Sequence, residues 1–271
     1  MVTLKTATEA VKMREAGKIV AEMLAETRAA ARPGVSTGEL DRIARDVIKR
    51  RRAVSSFLGY SQPPFPATIC TSINEEIVHG IPSPKRKLRD GDILGIDAGA
   101  IVEGWHADAA ITVAIGDASP EAVRLIETTE QALRLGIAAA RVGGRIGDIG
   151  AAVQAHAEAN GYGVVRNLVG HGIGRAMHEE PQVPNYGLAD RGLPIKPGLC
   201  LAIEPMLNIG TPDTRLHRDQ WTVVTADGSL SAHFEHTIWC TDEGAVVLTA
   251  AGSDADARLR AELEAGKLVQ A

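Results

Sequence analysis

The chain has 271 residues, is 45% hydrophobic and carries a formal net charge of −5, so it can bury a substantial core but lacks the basic surface of a nucleic-acid-binding protein. Its charged N-terminus does not resemble a signal peptide, and no apolar run reaches the roughly 20 residues that a membrane helix needs. The three cysteines are odd in number and widely spaced, which is typical of reduced thiols, and we expect a soluble, cytoplasmic protein without a membrane or nucleic-acid partner.

The N-terminal part of the chain is predicted to be helical. Apolar residues at helical spacing indicate one helix over residues 6–31 and a second over about 36–52. Both predicted helices start with a capping box, in which a hydroxyl and a glutamate three residues later satisfy the first backbone amides. The two pairs are Thr6 with Glu9 and Ser36 with Glu39. The Pro- and Ser-rich stretch 55–92 is predicted as a long loop, and long ordered loops tend to be functional.

Two strands and a second pair of helices follow. The segments "ILGIDAGAIV" (93–102) and "WHADAAITVAI" (105–115) are predicted strands, joined by the two-residue turn Glu103-Gly104. A helix is predicted from Ser119-Pro120 to about residue 141, and another one ends just before Gly161. The remaining predicted elements are strands, namely "LCLAIEPMLNI", "WTVVTA", "SAHFEHTIWCT" and "AVVLTA".

A faint internal repeat matches this order of elements. The segment "AAARPGVSTGEL" (29–40) aligns with "AAARVGGRIGDI" (138–149), and "GDILGID" (91–97) aligns with "GLCLAIE" (198–204). The tripeptide "HGI" also occurs twice between these matches. We interpret the repeat as two related halves, about 1–115 and 116–250, which would place a site at the seam between them.

Carboxylates occur inside the predicted strands, where an unpaired charge is costly to bury. Asp97 ends the apolar run "DILGID". With a two-residue turn at Glu103-Gly104, residue 97 lies opposite 110 and residue 99 opposite 108, so Asp97 and Asp108 point to the same face as diagonal neighbours. Two acids in this arrangement repel each other unless a cation lies between them. For a single strand aspartate, a buried salt bridge or a turn cap would be the simpler explanation.

Two further acids, Glu204 and Glu235, lie in predicted strands, and none of the four strand segments contains lysine or arginine. We therefore expect two divalent metals. His171 is favoured as their imidazole ligand because its flanking glycines allow close backbone approach, and His178 would then face the substrate. One histidine with four carboxylates is a ligand set that suits Mn, Fe or Co. It differs from the Cys- and His-rich ligand set of a structural zinc site. For an isolated histidine, a hydrogen-bonded loop residue would be the simpler explanation.

These residues, in this order and spacing, resemble the dinuclear site of the methionine aminopeptidases, in their type I, bacterial-like branch. The resemblance implies a metal-dependent hydrolase with the α/β (α+β) pita-bread fold, whose two pseudo-symmetric halves enclose the metals. It also implies one catalytic domain over residues 1–271, without the N-terminal zinc-binding extension of some type I members and without the type II insertion. The segments that carry the resemblance are "INEEIVHGIP", "GDILGIDAGA", "GWHADAAITV", "GHGIGRAMHEEP" and "IEPM".

The resemblance also implies a role for each residue. Asp97 would chelate one metal, His171 and Glu204 would chelate the other, and Asp108 and Glu235 would bridge both. A bridging hydroxide would attack the scissile carbonyl, with Glu204 as the proton shuttle between that hydroxide and the leaving amine. The metals would be Co, Mn, Fe or Zn, since cellular availability decides among them.

The substrate side of the site is assigned in the same way. His79 and His178 match histidines that contact the peptide and stabilise the tetrahedral intermediate. The methionine pocket would consist of Phe65, Cys70, Met177 and Trp221, with Tyr60 nearby. Gly59 and Gln62 stand where the family resemblance places a cysteine and an aromatic residue, so the chain departs from the family pattern on that side of the pocket. Asn74 would help to hold a monovalent cation.

The expected function is removal of the initiator methionine from nascent proteins whose second residue is small. The enzyme is expected to be a monomer that acts on nascent N-termini, including those still at the ribosome. Two alternatives stay open. One is an Xaa-Pro aminopeptidase or prolidase, which shares the fold and ligands but usually carries an extra N-terminal domain. The other is a non-catalytic peptide- or RNA-binding relative, which should have lost metal ligands, although none is missing here.

Overall fold

The computed structural model describes residues 2–269, with side chains as far as residue 265. Five helices lie within these residues, and none of them is long and apolar enough to cross a membrane. The helices are α1 (Ala7–Ala30), α2 (Thr37–Arg51), α3 (Pro120–Ala139), α4 (Ile146–Ala159) and α5 (Asp254–Val269).

The strands described between residues 2 and 269 form one large sheet and two small ones. The strands are β1 (Val54–Ser55), β2 (Ile69–Ile73), β3 (Glu76–Val78), β4 (Ile93–Val102), β5 (Trp105–Ala114), β6 (Gly163–Val164), β7 (Gly170–Gly172), β8 (Glu179–Val183), β9 (Cys200–Ile203), β10 (Met206–Asn208), β11 (Thr214–Leu216), β12 (Val223–Thr225), β13 (Ser231–His233), β14 (Glu235–Thr241) and β15 (Gly244–Val247). The large sheet has the order β1-β4-β5-β14-β9-β7-β8, with β2 paired to β4 and β15 to β14. The small sheets have the orders β13-β10-β6 and β11-β12-β3.

The helices α1, α2 and α3 begin and end close to the predicted positions, and α4 ends close to its predicted end. Thr6 and Ser36 accept hydrogen bonds from the amides of Glu9 and Glu39, and both glutamates bond back to the cap amides, so the two predicted capping boxes are confirmed. Ser119 caps α3, with Pro120 as its first residue. The helix α4 ends before Gly161, which has φ +80°, a conformation that favours glycine.

Both pairs of helices cover the same face of the large sheet. On β4 and β5, alternate residues such as Ile96 and Ala109 pack with α1 and α2. Further along the sheet, Leu201 and Ile238 pack with residues of α3 and α4. Because side chains alternate along a strand, the residues between these positions point to the opposite face, which neither of these two helix pairs covers. The candidate site lies on that opposite face.

The structure corrects several predicted elements. The stretch 55–92, predicted as a loop, contains β2 and β3, which are too short and too fully buried to show an alternating pattern. The predicted strand 199–209 is divided at Glu204-Pro205, since proline lacks the amide that a sheet needs. The predicted strand 231–241 is divided at Phe234. No element is predicted beyond residue 250, where α5 is anchored by the buried Arg14, which donates to the carbonyls of residues 248, 250 and 252.

Candidate metal centre and pocket

The β4–β5 hairpin brings two carboxylates to the uncovered face of the sheet. Its turn consists of Glu103 (φ 51°) and Gly104 (φ 76°), the left-handed pair that a tight two-residue hairpin requires. Asp97 lies opposite Ala110, and Gly99 lies opposite Asp108. The predicted register is therefore confirmed, and the two aspartates are diagonal neighbours on one face.

The strand β14 adds a third carboxylate to the same face. Glu235 lies opposite Ala110 on the other side of β5, so Asp97, Ala110 and Glu235 form one row across three strands. The small side chain of Ala110 leaves space between the two carboxylates of this row. Asp108 points to the same face because it lies two residues from Ala110.

The strands β7 and β9 supply the histidine and the fourth acid. His171 lies opposite Ala202, which lies opposite Thr237 of β14, and Glu204 follows directly after β9. The alternation of side chains along each strand puts His171, Glu204 and Glu235 on the same face. A Cβ added to Gly170 would lie 2.4 Å from the Ala202 carbonyl oxygen, and one added to Gly172 would lie 2.2 Å from the Glu180 carbonyl oxygen. Only glycines at these positions allow β7 to fit between its neighbours.

Distances between the side chains define a compact cluster. One ligand atom each of Asp108, His171 and Glu235 lies within 4.8 Å of the other two, and all three residues are buried. Glu204 joins on the histidine side, with its Oε1 3.7 Å from His171 Nε2. His171 Nδ1 lies 2.8 Å from the Gly172 carbonyl oxygen, so the N–H belongs on Nδ1 and Nε2 is left free to bind a metal.

The electrostatics of the cluster indicate that a cation belongs there. Among residues 2–265, no lysine or arginine forms an ion pair with any of the four carboxylates. Three buried oxygens, Asp97 Oδ1, Asp108 Oδ1 and Glu235 Oε1, have no hydrogen-bond partner among the described residues. Burial raises the pKa of Asp97 to about 7, and burial with the neighbouring Asp97 holds the pKa of Asp108 well above its usual range. Unpartnered anionic oxygens and one imidazole fit a divalent metal.

One buried histidine of the cluster is absent from the sequence prediction. His233, in β13, has its Nε2 3.7 Å from Glu204 Oε2, and this nitrogen has no hydrogen-bond partner. Burial, reinforced by His79, lowers the pKa of His233 to about 3, so the ring is neutral at neutral pH. The sequence signal was present, since "SAHFEH" places His233 two residues before Glu235, but the bend between β13 and β14 was needed to show where it points.

A mainly apolar cavity of about 90 Å³ adjoins the carboxylates. Its walls include every residue predicted for substrate contact, together with Phe57, Tyr60 and Asp97. These predicted residues are Phe65, Cys70, His79, Met177, His178 and Trp221. The Phe65 ring meets the Trp221 ring edge-on at 5.1 Å between centroids, and the Phe57 ring meets Phe65 at 6.4 Å. Cys70 lies opposite Asp97 and so faces the cavity from the sheet.

The cavity differs from the predicted pocket on one side. The family resemblance assigns that side to positions 59 and 62, but Gly59 and Gln62 are not among the lining residues. Phe57 and Tyr60 occupy it instead, because the chain bends through a turn at 57–60, where the Tyr60 amide donates to the Phe57 carbonyl. This side of the cavity wall is therefore aromatic.

The two substrate-side histidines line the cavity. His79 has φ 60°, a strained conformation for a residue with a side chain and one often found at functional sites. Burial and the neighbouring His178 lower the pKa of His79 to about 4. The Tyr60 hydroxyl lies 2.5 Å from His178 Nδ1, and the rings of His171 and His178 are 4.3 Å apart.

Asn74, predicted to help hold a monovalent cation, forms the turn between β2 and β3. Its side-chain amide donates to Asp92, its side-chain oxygen accepts from the Ile93 amide, and its carbonyl accepts from the Ser231 amide. These bonds join the turn to the start of β4, and the monovalent cation stays a prediction.

Comparison with known proteins identifies the family. The profile of Metallopeptidase family M24 matches residues 11–242. A methionine aminopeptidase of Clostridium acetobutylicum is 51% identical over 249 residues, which cover 92% of this chain and 99% of that protein. The chain belongs to metallopeptidase family M24, among its methionine aminopeptidases. Methionine aminopeptidase 1 of Bacillus subtilis is 47% identical with the same coverage.

Solved structures agree with this family membership. A crystal structure of methionine aminopeptidase from Thermotoga maritima superposes with a TM-score of 0.90 at 39% identity and covers 92% of this chain and 99% of that one. An Xaa-Pro dipeptidase from Bacillus anthracis gives a TM-score of 0.72 at 24% identity, and only 62% of that chain is covered. The expected pita-bread fold of M24 is thus confirmed, and this chain is a metal-dependent peptidase of the methionine aminopeptidase type.

Proposed function

We propose that this M24 peptidase removes the N-terminal methionine from polypeptides whose second residue is small. The observation that carries the proposal is the apolar cavity directly beside the carboxylate cluster, with Asp97 lining both. A methionine side chain in the cavity would bring its own carbonyl to the cluster, so the first peptide bond would be the one that is cut. The restriction to a small second residue rests on the likeness to methionine aminopeptidases.

Five side chains would hold two divalent ions in this proposal. Asp97 would bind one ion, His171 and Glu204 would bind the other, and Asp108 and Glu235 would bind both. When bound, the ions supply Lewis acidity that polarises the scissile carbonyl and acidifies water. The unpartnered oxygens of Asp97, Asp108 and Glu235 support this assignment. The ions would be Co, Mn, Fe or Zn.

Glu204 is assigned the proton transfers. Its carboxylate would take a proton from the attacking water and deliver it to the leaving amine, since one group that moves the same proton twice must be a base first and an acid later. Two features support the assignment. The side chain of Glu204 keeps 14% of its surface exposed. Burial and Asp97 also raise its pKa well above the usual range, which favours a proton-carrying carboxyl.

His79 and His178 would bind the substrate peptide and its tetrahedral intermediate. Both rings line the cavity, and burial lowers the pKa of each, so that both are neutral hydrogen-bonding groups at neutral pH. A phenol is a better donor than acceptor, so the Tyr60 hydroxyl would donate to His178 Nδ1 and leave the N–H on Nε2 for the substrate.

The methionine side chain would lie among Phe65, Cys70, Met177 and Trp221. A thioether gains roughly 0.3–1.5 kcal/mol from contact with an aromatic ring. Three aromatic rings, those of Phe57, Phe65 and Trp221, meet edge to face along the cavity wall. Among the described residues that line the cavity, Asp97 would be bound to metal, the two histidines are neutral and the others carry no charge, so a charged first residue would be poorly bound. The enzyme would act as a monomer on nascent polypeptides in the cytoplasm.

A peptide panel tests the proposal. Protein freed of metal and reloaded in turn with Mn, Co, Fe or Zn should release methionine from Met-Ala-Ser and leave Met-Lys-Ser nearly intact, as followed by chromatography of free methionine. An Asp97→Ala variant should bind less metal and release little methionine. Preferential cleavage of Xaa-Pro peptides would support the prolidase alternative instead, and absence of methionine release with every metal would overturn the proposal.

A further inference from the structure

A buried lysine outside the candidate site, Lys5, contacts the segment that carries two cavity residues. The Lys5 side chain is only 3% exposed, and its Nζ lies 2.6 Å from Glu179 Oε2. The same ammonium donates to the Thr3 hydroxyl at 2.7 Å and to the Thr3 carbonyl at 3.2 Å. The hydroxyl of Thr3 donates to Glu179 at 2.7 Å. All three ammonium hydrogens therefore have partners.

The backbone of Lys5 is fixed independently of its side chain. Its amide donates to the Gly198 carbonyl at 2.6 Å, and its carbonyl accepts from the Trp239 indole at 3.1 Å. Leu4 forms a bridge with Leu199, at the start of β9. The segment 3–5 is thus attached to the large sheet and provides a rigid base for the ammonium.

The other partner, Glu179, organises the segment 174–179. Its Oε1 accepts from the Ala176 amide at 3.1 Å, which closes a turn around Met177 and His178. A Cβ added to Gly174 would lie 2.4 Å from Lys5 Cε and 2.7 Å from Glu179 Oε1, so the turn is packed directly on the ion pair. Met177 and His178 line the cavity, whereas neither Lys5 nor Glu179 does.

We propose that Lys5 is a positioning residue for the substrate: through Glu179 it holds the segment 174–179, and with it Met177 and His178, against the cavity. The inference rests on the proposed function, because it assigns these two side chains to substrate binding. A partly buried carboxylate that has lost its cation would turn towards water or a new partner and release the Ala176 amide. Small displacements of binding groups lower catalytic efficiency strongly.

Lys5→Met, Glu179→Gln and the double variant test the proposal, with Lys12→Met as the matched control, since Lys12 forms only an exposed ion pair with Glu103. Lys5→Met should lower kcat/KM for Met-Ala-Ser about tenfold, mainly through KM, with unchanged metal content per chain. Glu179→Gln should have a similar effect, and the double variant should be no worse than the poorer single variant. Lys12→Met should behave as wild type.

Hydrogen exchange of the segment 174–178 gives a second readout that does not depend on turnover. Its amides should exchange faster in Lys5→Met and Glu179→Gln than in wild type, while the amides of β4 and β5 stay protected. Should Lys5→Met fail to fold, Glu179→Gln tests the same pair without a change in side-chain size. A Lys5→Met loss within twofold of wild type, multiplied losses in the double variant, or unchanged exchange would overturn the proposal. A wild-type protein that releases no methionine would refute the proposed function, but the exchange measurement would still decide the role of Lys5.

Discussion

Two glycines of β4 lie on the uncovered face of the sheet, beside the carboxylates, and they differ in what surrounds them. A Cβ added to Gly99 would lie 2.8 Å from both Phe57 Cε1 and Ser56 Cβ, closer than any real contact. A Cβ added to Gly95 would meet nothing nearer than 3.5 Å, which is ordinary contact. The Phe57 ring, which forms part of the cavity wall, therefore rests on the space that Gly99 leaves open.

Gly99→Ala should narrow or distort the methionine pocket by displacing Phe57. We expect KM for Met-Ala-Ser to rise about tenfold, corresponding to the roughly 1–3 kcal/mol of overpacking, with unchanged metal content. Gly95→Ala is the matched control on the same strand and face, and it should leave KM within about twofold of wild type. Steady-state kinetics with metal analysis checks both variants. Equal effects of the two substitutions, or none from Gly99→Ala, would contradict this account of the pocket.

At the scale of single residues, the sequence predicts the face of the sheet to which a side chain points, because side chains alternate along a strand. Asp97 and Asp108 could be assigned to one face because a two-residue turn fixes the register of the whole hairpin. His233 and Phe57 could not be found in this way. The direction of His233 depends on the bend between β13 and β14, and that of Phe57 depends on an irregular turn. No periodic pattern encodes the position of Phe57, and strand parity alone does not give the contact between His233 and Glu204.

At the scale of elements, the β4–β5 turn controls the positions of two carboxylates. Gly104 has φ 76°, a conformation that costs about 1 kcal/mol for alanine but little for asparagine. Gly104→Ala should therefore lower the free energy of unfolding by about 1 kcal/mol, and Gly104→Asn should lower it by less. Urea denaturation of the three proteins measures the difference. If Gly104→Ala and Gly104→Asn had the same free energy of unfolding, the left-handed conformation of residue 104 would not determine the stability of the hairpin.

Elements with local end signals were predictable, and those defined by tertiary contacts were not. Capping residues before α1, α2 and α3, and Gly161 after α4, fixed the helix ends to within about two residues. In contrast, β7 and β8 contain glycines and a proline and lack alternation, so nothing local indicates a strand. They form because β9 offers an edge, and Gly170 and Gly172 allow the close approach.

At the scale of the whole molecule, the proposed metal ligands come from strands that are distant in sequence. Asp97 and Asp108 lie on β4 and β5, whereas His171, Glu204 and Glu235 come from β7, the end of β9, and β14. Two metal ions held by these ligands would join the strands only in the folded state, because the unfolded chain cannot gather the ligands. Binding should therefore stabilise the fold by mass action.

Metal removal should consequently lower the melting temperature. At a metal concentration of about 100 times Kd, binding contributes about 2.7 kcal/mol, and 1 kcal/mol corresponds to roughly 2–4 °C for a protein of this size. We therefore expect chelation to lower Tm by about 5–10 °C, and added Mn to restore it, as measured by differential scanning calorimetry.

Asp108→Asn separates metal binding from nonspecific effects of the chelator. The variant lacks one of the ligands assigned to both ions, so chelator and Mn should change its Tm by less than about 2 °C. In wild type, the charge of Asp108 is repelled by those of Asp97, Glu204 and Glu235. Because Asp108→Asn removes this repulsion, the metal-free variant should be at least as stable as metal-free wild type. A chelator effect of equal size in both proteins would mean that metal binds elsewhere. A metal-free variant less stable than metal-free wild type would mean that the acids do not repel each other, and that the orphaned oxygens of the cluster have partners other than a dication.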